Sequence, residues 1–182
     1  KVLLLIDMEG IIGVYNINDN VRNHRLMIHE ISCAINILKL RGYEDVCVCN
    51  IHNNGYNFEE HEVSNLKVEL IIGIDQLKLC LESFRLAILI GFHGMKNSGG
   101  RFDHTFREDI SKLMYGGISI GEVGAYTRWF EYNNIPVIMV SGEGNFAHEI
   151  SDNEYTIHAF NGIITSSEAM KIQYNQFIDS IE

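Results

Sequence analysis

The sequence predicts an α/β fold, a three-layer sandwich in which helices cover both faces of a mostly parallel central sheet. Short apolar runs such as 2–6 and 86–90 are typical of strands that are buried on both faces. Segments with helical periodicity separate these runs, and this alternation indicates parallel strands joined by crossover helices. Because 182 residues can bury one sizeable core, we expect residues 1–182 to form a single domain.

The predicted elements follow one another in a regular order. The strand at 2–6 precedes a helix over about 19–41, in which apolar residues recur every three or four positions and Gly42 stands at the expected helix end. A Gly-Gly pair at 116–117 indicates a hairpin within 113–120. The remaining expected elements are strands within 44–52, 66–73, 86–91 and 135–144 and helices over 121–134 and 166–182.

Charge and composition limit the partners and the location of the protein. The formal net charge is −10 at pH 7, which argues against nucleic acid and anionic membranes as partners, because both attract basic surfaces. No apolar run approaches the ~20 residues of a membrane-spanning helix, and no signal peptide is recognisable, so we expect a cytoplasmic protein. Without Cys-x-x-Cys spacing, the cysteines are expected to be reduced, buried apolar residues: Cys33, Cys47, Cys49 and Cys80.

Acidic and imidazole side chains stand where the predicted strands end. Asp7 and Glu9 follow the first strand, His52 ends the second, and His93 follows the strand at 86–91. Glu122 stands near the start of the helix after the hairpin. Ligands collect at the carboxyl ends of parallel strands, so we expect these side chains to converge. Three carboxylates and two imidazoles suit zinc or manganese, and they are numerous enough for two ions.

Each of these residues also has an ordinary explanation, and only their convergence favours a metal site. A histidine at a strand end is more often a hydrogen-bonded core or loop residue, and an acid there is often a helix cap. The ordinary explanation for Glu122 is that an acid is favoured at the positive end of a helix. His104 follows the Gly-rich loop 96–101, which could deliver it over a metal site as a catalytic group, but spacing alone favours a loop histidine without chemistry. The histidines expected to be solvated or structural are His24, His29, His61, His148 and His158.

Six motifs resemble those of a known family. IDMEGIIG, NIHNN, IGFHG, GGRFDHTF, GEVG and PVIMVSGE occur in the order and approximate spacing of the M55 peptidases, which are D-aminopeptidases, from residue 2 to about residue 170. The resemblance implies a metal-dependent aminopeptidase that hydrolyses short peptides or aminoacyl amides, D-amino-acid-containing ones included, with a water activated by two zinc ions. It also implies a homo-oligomer, which is a ring-like decamer in the type enzyme.

The resemblance implies a role for each candidate residue. His104 falls on the catalytic histidine of the family, which reverses the preference from spacing alone, and Asp7 would bridge the two ions. The implied metal ligands are Asp7, Glu9, His52, His93 and Glu122.

The chain also departs from the family pattern. Typical members are longer at the C-terminus, and VSGEGN, around Glu143, replaces a common GDD. This change alters the charge near Glu143, so a preference for D-amino acids does not follow from the resemblance.

Three other functions are weaker alternatives. The DMEG motif superficially resembles the first motif of haloacid-dehalogenase-type phosphatases, but Ile11 replaces the usual Thr or Val and no later paired-Asp motif follows. A metal-binding scaffold without catalysis would keep the ligands and lack activity. A flavodoxin-like nucleotide-binding domain is disfavoured, because Gly10 and Gly13 do not form a GxGxxG loop.

Overall fold

A computed structural model describes residues 1–55 and 64–149, together with the backbone of a strand at 156–159. Its strands are β1 (Val2–Ile6), β2 (Val46–Asn50), β3 (Glu69–Ile72), β4 (Leu86–Phe92), β5 (Leu113–Tyr115), β6 (Ile118–Ile120), β7 (Val137–Gly142) and β8 (Thr156–Ala159). Six of them form one sheet in the order β3-β2-β1-β4-β7-β8, and every neighbouring pair is parallel. β5 and β6 form the predicted antiparallel hairpin.

Helices cover both faces of this sheet, as predicted. They are α1 (Asn20–Leu40), α2 (Gly73–Cys80) and α3 (Glu122–Tyr132). Successive side chains of a strand point to opposite faces. Leu4 therefore packs with Met27 of α1, whereas Leu3 packs in the opposite core with Leu77 of α2 and Phe130 of α3. This arrangement confirms the three-layer α/β fold. None of the helices in the described ranges is long and apolar enough to span a membrane.

The strand order places a crevice at the centre of the sheet. β2 and β3 lie on one side of β1, and β4, β7 and β8 lie on the other. In such sheets the ligand site is the crevice where the strand order reverses, outside the carboxyl ends of the strands. Here that crevice lies between β1 and β4. Ile6 is in register with Asn50 of β2 and Ile90 of β4, so β1 and β2 end at the same level and β4 extends two residues beyond them.

The structure differs from the sequence prediction in several elements. α2 was not predicted, because the strand at 69–72 runs without a loop into a helix at Gly73, whose φ is +74°. β8 was not predicted either, and His158 lies in this strand rather than in a loop or helix. His24 and His29 lie within α1. Cys80 is half-buried, in contrast to the three buried cysteines. The predicted helix at 166–182, His61 and the side chain of His148 lie outside the described residues.

Candidate metal centre

The loop that carries Asp7 and Glu9 is held tightly against the end of β4. The Asp7 N–H donates to the Ile90 carbonyl at 2.9 Å, and the Gly10 N–H donates to the Gly91 carbonyl at 2.7 Å. A Cβ atom on Gly10 would lie only 1.8 Å from the carbonyl oxygen of Phe92. Only glycine therefore allows this close approach, which brings Asp7 and Glu9, the two acids that follow β1, to the end of β4.

His52 faces both of these acids from the end of β2. Its backbone N–H donates to Asn50 Oδ1 at 3.0 Å, which fixes the first turn after the strand. The His52 Nδ1 atom lies 3.2 Å from Asp7 Oδ1 and 2.8 Å from Glu9 Oε2. Burial lowers the pKa of His52, but the hydrogen bonds to Asp7 and Glu9 outweigh this effect and raise the pKa to about 10.

His93 lies on the other side of Asp7, immediately after β4. The pairing of β4 with β7 shifts register between Leu89 and Phe92. This irregularity changes the direction of the backbone just before His93. The His93 Nδ1–H donates to the Gly94 carbonyl at 2.9 Å, since a carbonyl only accepts. The Nε2 atom therefore faces Asp7 Oδ2 at 3.4 Å and Glu122 Oε1 at 3.5 Å.

Two buried polar atoms at this point have no hydrogen-bond partner among the described residues. They are Asp7 Oδ2 and His93 Nε2, which lie 3.4 Å apart without hydrogen-bond geometry. Buried polar atoms normally have a partner, and an orphaned pair of this kind marks a missing ion or water. An oxygen and an imidazole nitrogen that face one space are a donor set that suits zinc.

The electrostatics of the site also favour a cation. Burial raises the pKa of Asp7, but the hydrogen bond to His52 and the nearby charge of His93 outweigh it, so the pKa of Asp7 is well below its usual range. The pKa of Glu9 is raised by burial and by the neighbouring charge of Asp7. Burial lowers the pKa of His93, yet the carboxylates of Asp7 and Glu122 raise it to about 12. In this metal-free arrangement, protons on the imidazoles balance the carboxylates.

Glu122 and His104 complete the site from the hairpin side. Glu122 is the first residue of α3, and its Oε1 atom accepts the backbone N–H of Phe106 at 2.7 Å. The His104 Nδ1–H donates to the Phe102 carbonyl at 2.9 Å. The His104 Nε2 atom is therefore free and lies 3.6 Å from Glu122 Oε1.

The structure brings all six candidate residues of the sequence prediction together. Within each of two groups, the potential ligand atoms lie within 4.8 Å of one another; the groups are Asp7, Glu9 and His93, and His93, His104 and Glu122. His52 joins the first group through its contacts with both acids. His93 is common to both groups, and His104, predicted as a catalytic group, lies close enough to Glu122 and His93 to act as a ligand.

Glu149 is a residue of this site that the sequence prediction missed. Its carboxylate is 2% exposed and accepts three backbone N–H groups, those of Met95 at 3.0 Å, Gly121 at 2.7 Å and Gly124 at 3.0 Å. It therefore ties the segment just after His93 to the start of the helix that carries Glu122. No sequence signal identifies it, because all three partners are backbone groups that only the tertiary structure brings together.

A cavity of 1110 Å³ opens above the candidate ligands. Its wall combines the site residues with apolar and cationic side chains that the sequence prediction also missed. Among these are Ile74, Lys78, Arg101, Phe106, Tyr126 and Trp129.

Comparison with known proteins gives three findings. The sequence model of the M55 peptidase family, described as D-aminopeptidase, matches residues 1–173. A D-aminopeptidase of Bacillus subtilis (strain 168) is 23% identical over 163 residues, which cover 84% of this chain and 59% of that relative. The chain thus spans less than two thirds of the length of that protein.

The third finding is a likeness to a solved structure. It is described as Zn-dependent D-aminopeptidase DppA from Bacillus subtilis, a self-compartmentalizing protease. The TM-score is 0.85 at 19% sequence identity, and the match covers 100% of this chain and 75% of the other. This likeness supports the α/β fold described above.

Proposed function

We propose, given that this chain belongs to the M55 family of D-aminopeptidases, that it is a zinc-dependent aminopeptidase that removes the N-terminal residue from short peptides. The family match confirms the resemblance expected from the motifs. The observation that carries the proposal is the orphaned pair Asp7 Oδ2 and His93 Nε2, which lies among further carboxylates and imidazoles beneath a large cavity.

The residues present fit a pair of zinc ions, with manganese as the alternative. Asp7 would contribute to holding both ions, because its Oδ1 atom lies 3.2 Å from His52 and its Oδ2 atom lies 3.4 Å from His93. The chemistry that zinc supplies when bound is Lewis acidity, which polarises a carbonyl group and acidifies water. The residues that would hold the ions are Asp7, Glu9, His52, His93 and Glu122.

His104 is the group that we expect to move a proton. Its Nδ1 atom is committed to the Phe102 carbonyl, so in the neutral ring Nε2 is the free acceptor atom. The side chain is 22% exposed and lines the cavity, whereas the His93 side chain is 1% exposed. A partly exposed imidazole with one free nitrogen can accept a proton from water and later donate it to the leaving amine.

We also expect a particular assembly and a particular cellular location. We expect a homo-oligomer, since the hairpin exposes apolar side chains at Met114, Tyr115 and Ile118, and the similar solved structure is described as self-compartmentalizing. Light scattering during size-exclusion chromatography tests the subunit number. We also expect a cytoplasmic location, in which thiols stay reduced; among the described residues, no disulfide joins Cys33, Cys47, Cys49 or Cys80.

A peptide panel tests the proposed activity. The protein is incubated with zinc, and separately with manganese, and supplied with dipeptides and tripeptides that begin with L- or D-residues. N-acetylated versions of the same peptides serve as matched controls. We expect release of the N-terminal residue from free peptides only, with loss of activity on chelation or in His93→Ala.

Two results would overturn the proposed aminopeptidase activity. If the zinc-loaded protein leaves every peptide intact, the metal-binding scaffold is the better description. If it hydrolyses a phosphate ester instead and Asp7→Asn abolishes this activity, the phosphatase alternative replaces the proposal.

A further inference from the structure

We propose that Phe106, with Tyr126 and Trp129, forms a subsite that binds a bulky apolar side chain of the substrate. The protein would then select peptides with an aromatic or large aliphatic residue next to the scissile bond. This inference rests on the proposed aminopeptidase function and names the substrate class of the same cavity.

The backbone at Phe106 is strained. Its φ is +58°, a left-handed conformation that is uncommon for a bulky residue. Across it, the Arg107 N–H donates to the Thr105 carbonyl at 2.6 Å, so that the chain makes a three-residue turn. Strain of this kind persists only where the surroundings enforce it, and it is concentrated at functional sites.

Fixed contacts on both sides enforce the turn. Thr105 is buried, and its Oγ1 atom accepts the Lys96 N–H at 3.1 Å. The Phe106 N–H donates to Glu122 Oε1, a candidate metal-ligand atom, at 2.7 Å. The turn therefore positions the Phe106 side chain relative to the candidate metal centre.

The Phe106 ring does not contribute much to the protein core. It is 41% exposed and belongs to the cavity wall. One edge contacts Tyr126, with ring centroids 5.8 Å apart and planes at 72°. A strained backbone that holds a partly exposed aromatic ring in a cavity wall indicates a role in ligand contact rather than in the core.

α3 supplies the rest of the apolar wall. Tyr126 and Trp129 follow Glu122 by four and seven residues, and these spacings place all three side chains on one face of the helix. The Tyr126 and Trp129 ring centroids are 6.4 Å apart. Ala125 of α3 and Ile74 of α2 also line the cavity. The aromatic surface thus begins one helical turn from a candidate metal ligand, within reach of a residue that flanks the scissile bond.

A binding measurement tests the subsite without catalysis. Trp129 is the only tryptophan of the chain, so its fluorescence reports occupancy of this wall. We expect the zinc-loaded protein to bind phenylalaninol about tenfold more tightly than alaninol, because the larger side chain buries more apolar surface and neither amino alcohol has an amide bond to hydrolyse. Equal affinity for the two amino alcohols would overturn the proposal.

Phe106→Asn separates a ligand contact from a structural role. Asparagine tolerates the left-handed conformation, so we expect the melting temperature to stay the same or rise. The preference for phenylalaninol should fall to about threefold or less, and Phe106→Leu should retain part of it. Tyr132→Asn is the matched control, because Tyr132 is an exposed aromatic residue at the end of α3 that does not line the cavity. A preference that survives Phe106→Asn would overturn the proposal.

Hydrolysis provides the second measurement. With phenylalanine and alanine p-nitroanilides, Phe106→Asn should lower kcat/KM about tenfold more for the phenylalanine substrate. An equal loss for both, together with a lower melting temperature, would show that Phe106 is structural. If neither anilide nor any peptide is hydrolysed while the fluorescence preference persists, the subsite is upheld and the aminopeptidase activity is overturned.

Discussion

The imidazole rings of His93 and His104 stack at a centroid distance of 4.1 Å, with 12° between their planes. Both rings donate from Nδ1 to a backbone carbonyl, and both present Nε2 to Glu122 Oε1, at 3.5 Å and 3.6 Å. They differ in exposure, since only the His104 side chain reaches the cavity to any extent. The buried ring is suited to ligation and the more exposed ring to proton transfer.

The first prediction separates these two roles. His104→Asn should lower kcat by about 10²- to 10⁴-fold, the usual contribution of a general acid or base, while the zinc content stays at the wild-type value. His29→Asn, on the exposed side of α1, is the control and should change neither quantity. If His104→Asn loses as much zinc as His93→Ala, His104 is a ligand and not the proton carrier.

The second prediction concerns Glu149. In Glu149→Gln an amide N–H₂ group replaces one acceptor of the three backbone N–H groups, so we expect a loss of about 1–3 kcal/mol in the free energy of unfolding. Because those groups belong to the segments that carry His93 and Glu122, zinc affinity should fall about 10-fold or more. Calorimetry and zinc titration measure the two effects, with exposed Glu82→Gln as the control. Reduced stability with unchanged zinc affinity would contradict the positioning role.

The third prediction is a pH dependence of zinc binding. The pKa values of His52 and His93 are raised to about 10 and about 12, so both imidazoles carry protons at neutral pH in the metal-free protein. A ligating imidazole is neutral, hence zinc binding must displace these protons. Affinity should rise with pH by about tenfold per unit for each proton released. Titration calorimetry in buffers of different ionisation enthalpy counts the protons, and a pH-independent affinity with no proton release would refute this account.

The same shifts predict how the stability of the metal-free protein changes with pH. The folded pKa of His52 lies above its ordinary value of 6.5, so protonation of His52 stabilises the fold. This contribution is fully present below pH ~6.5 and is lost as the pH rises to about 10. We therefore expect the melting temperature of the metal-free protein to fall over this interval. In His52→Asn this component of the decline should be absent.

The fourth prediction tests the close approach of the β1 loop to β4. In Gly10→Ala the new Cβ atom would lie 1.8 Å from backbone, which cannot move away as a side chain can. We expect a loss of about 3 kcal/mol in the free energy of unfolding, measured by denaturant titration. Gly117→Ala is the control: its φ is +85° and no atom lies within 4 Å of the new Cβ, so only the backbone strain of about 1 kcal/mol applies. Equal losses would contradict the steric argument.

The sequence predicted the fold wherever one periodicity extended over a whole element. The apolar run of β1 and the regular spacing of Met27, Ile31, Ala34 and Leu38 in α1 are such cases. α2 was not predicted because β3 and α2 meet at Gly73 without the polar loop that usually separates a strand from a helix. β8 is a four-residue edge strand of mixed polarity, for which the sequence alone gives little signal.

For the site, the residues that could be predicted are those that stand at strand ends. Asp7, His52 and His93 follow three parallel strands in register, so a rule about strand ends was sufficient to group them. His104 needed the family resemblance, because its position depends on the path of the loop from Gly94. Glu149 and Phe106 act through backbone contacts across the fold, and residue type and spacing carry no information about such contacts.

A zinc titration of the metal-free protein measures whether this crevice binds a pair of zinc ions. We expect the wild type to saturate at about two zinc ions per chain. The greatest loss should occur in His93→Ala, because His93 belongs to both ligand groups, and His29→Ala should lose none. Saturation of the wild type with less than one ion per chain, or equal binding by His93→Ala, would rule out the proposed two-zinc site.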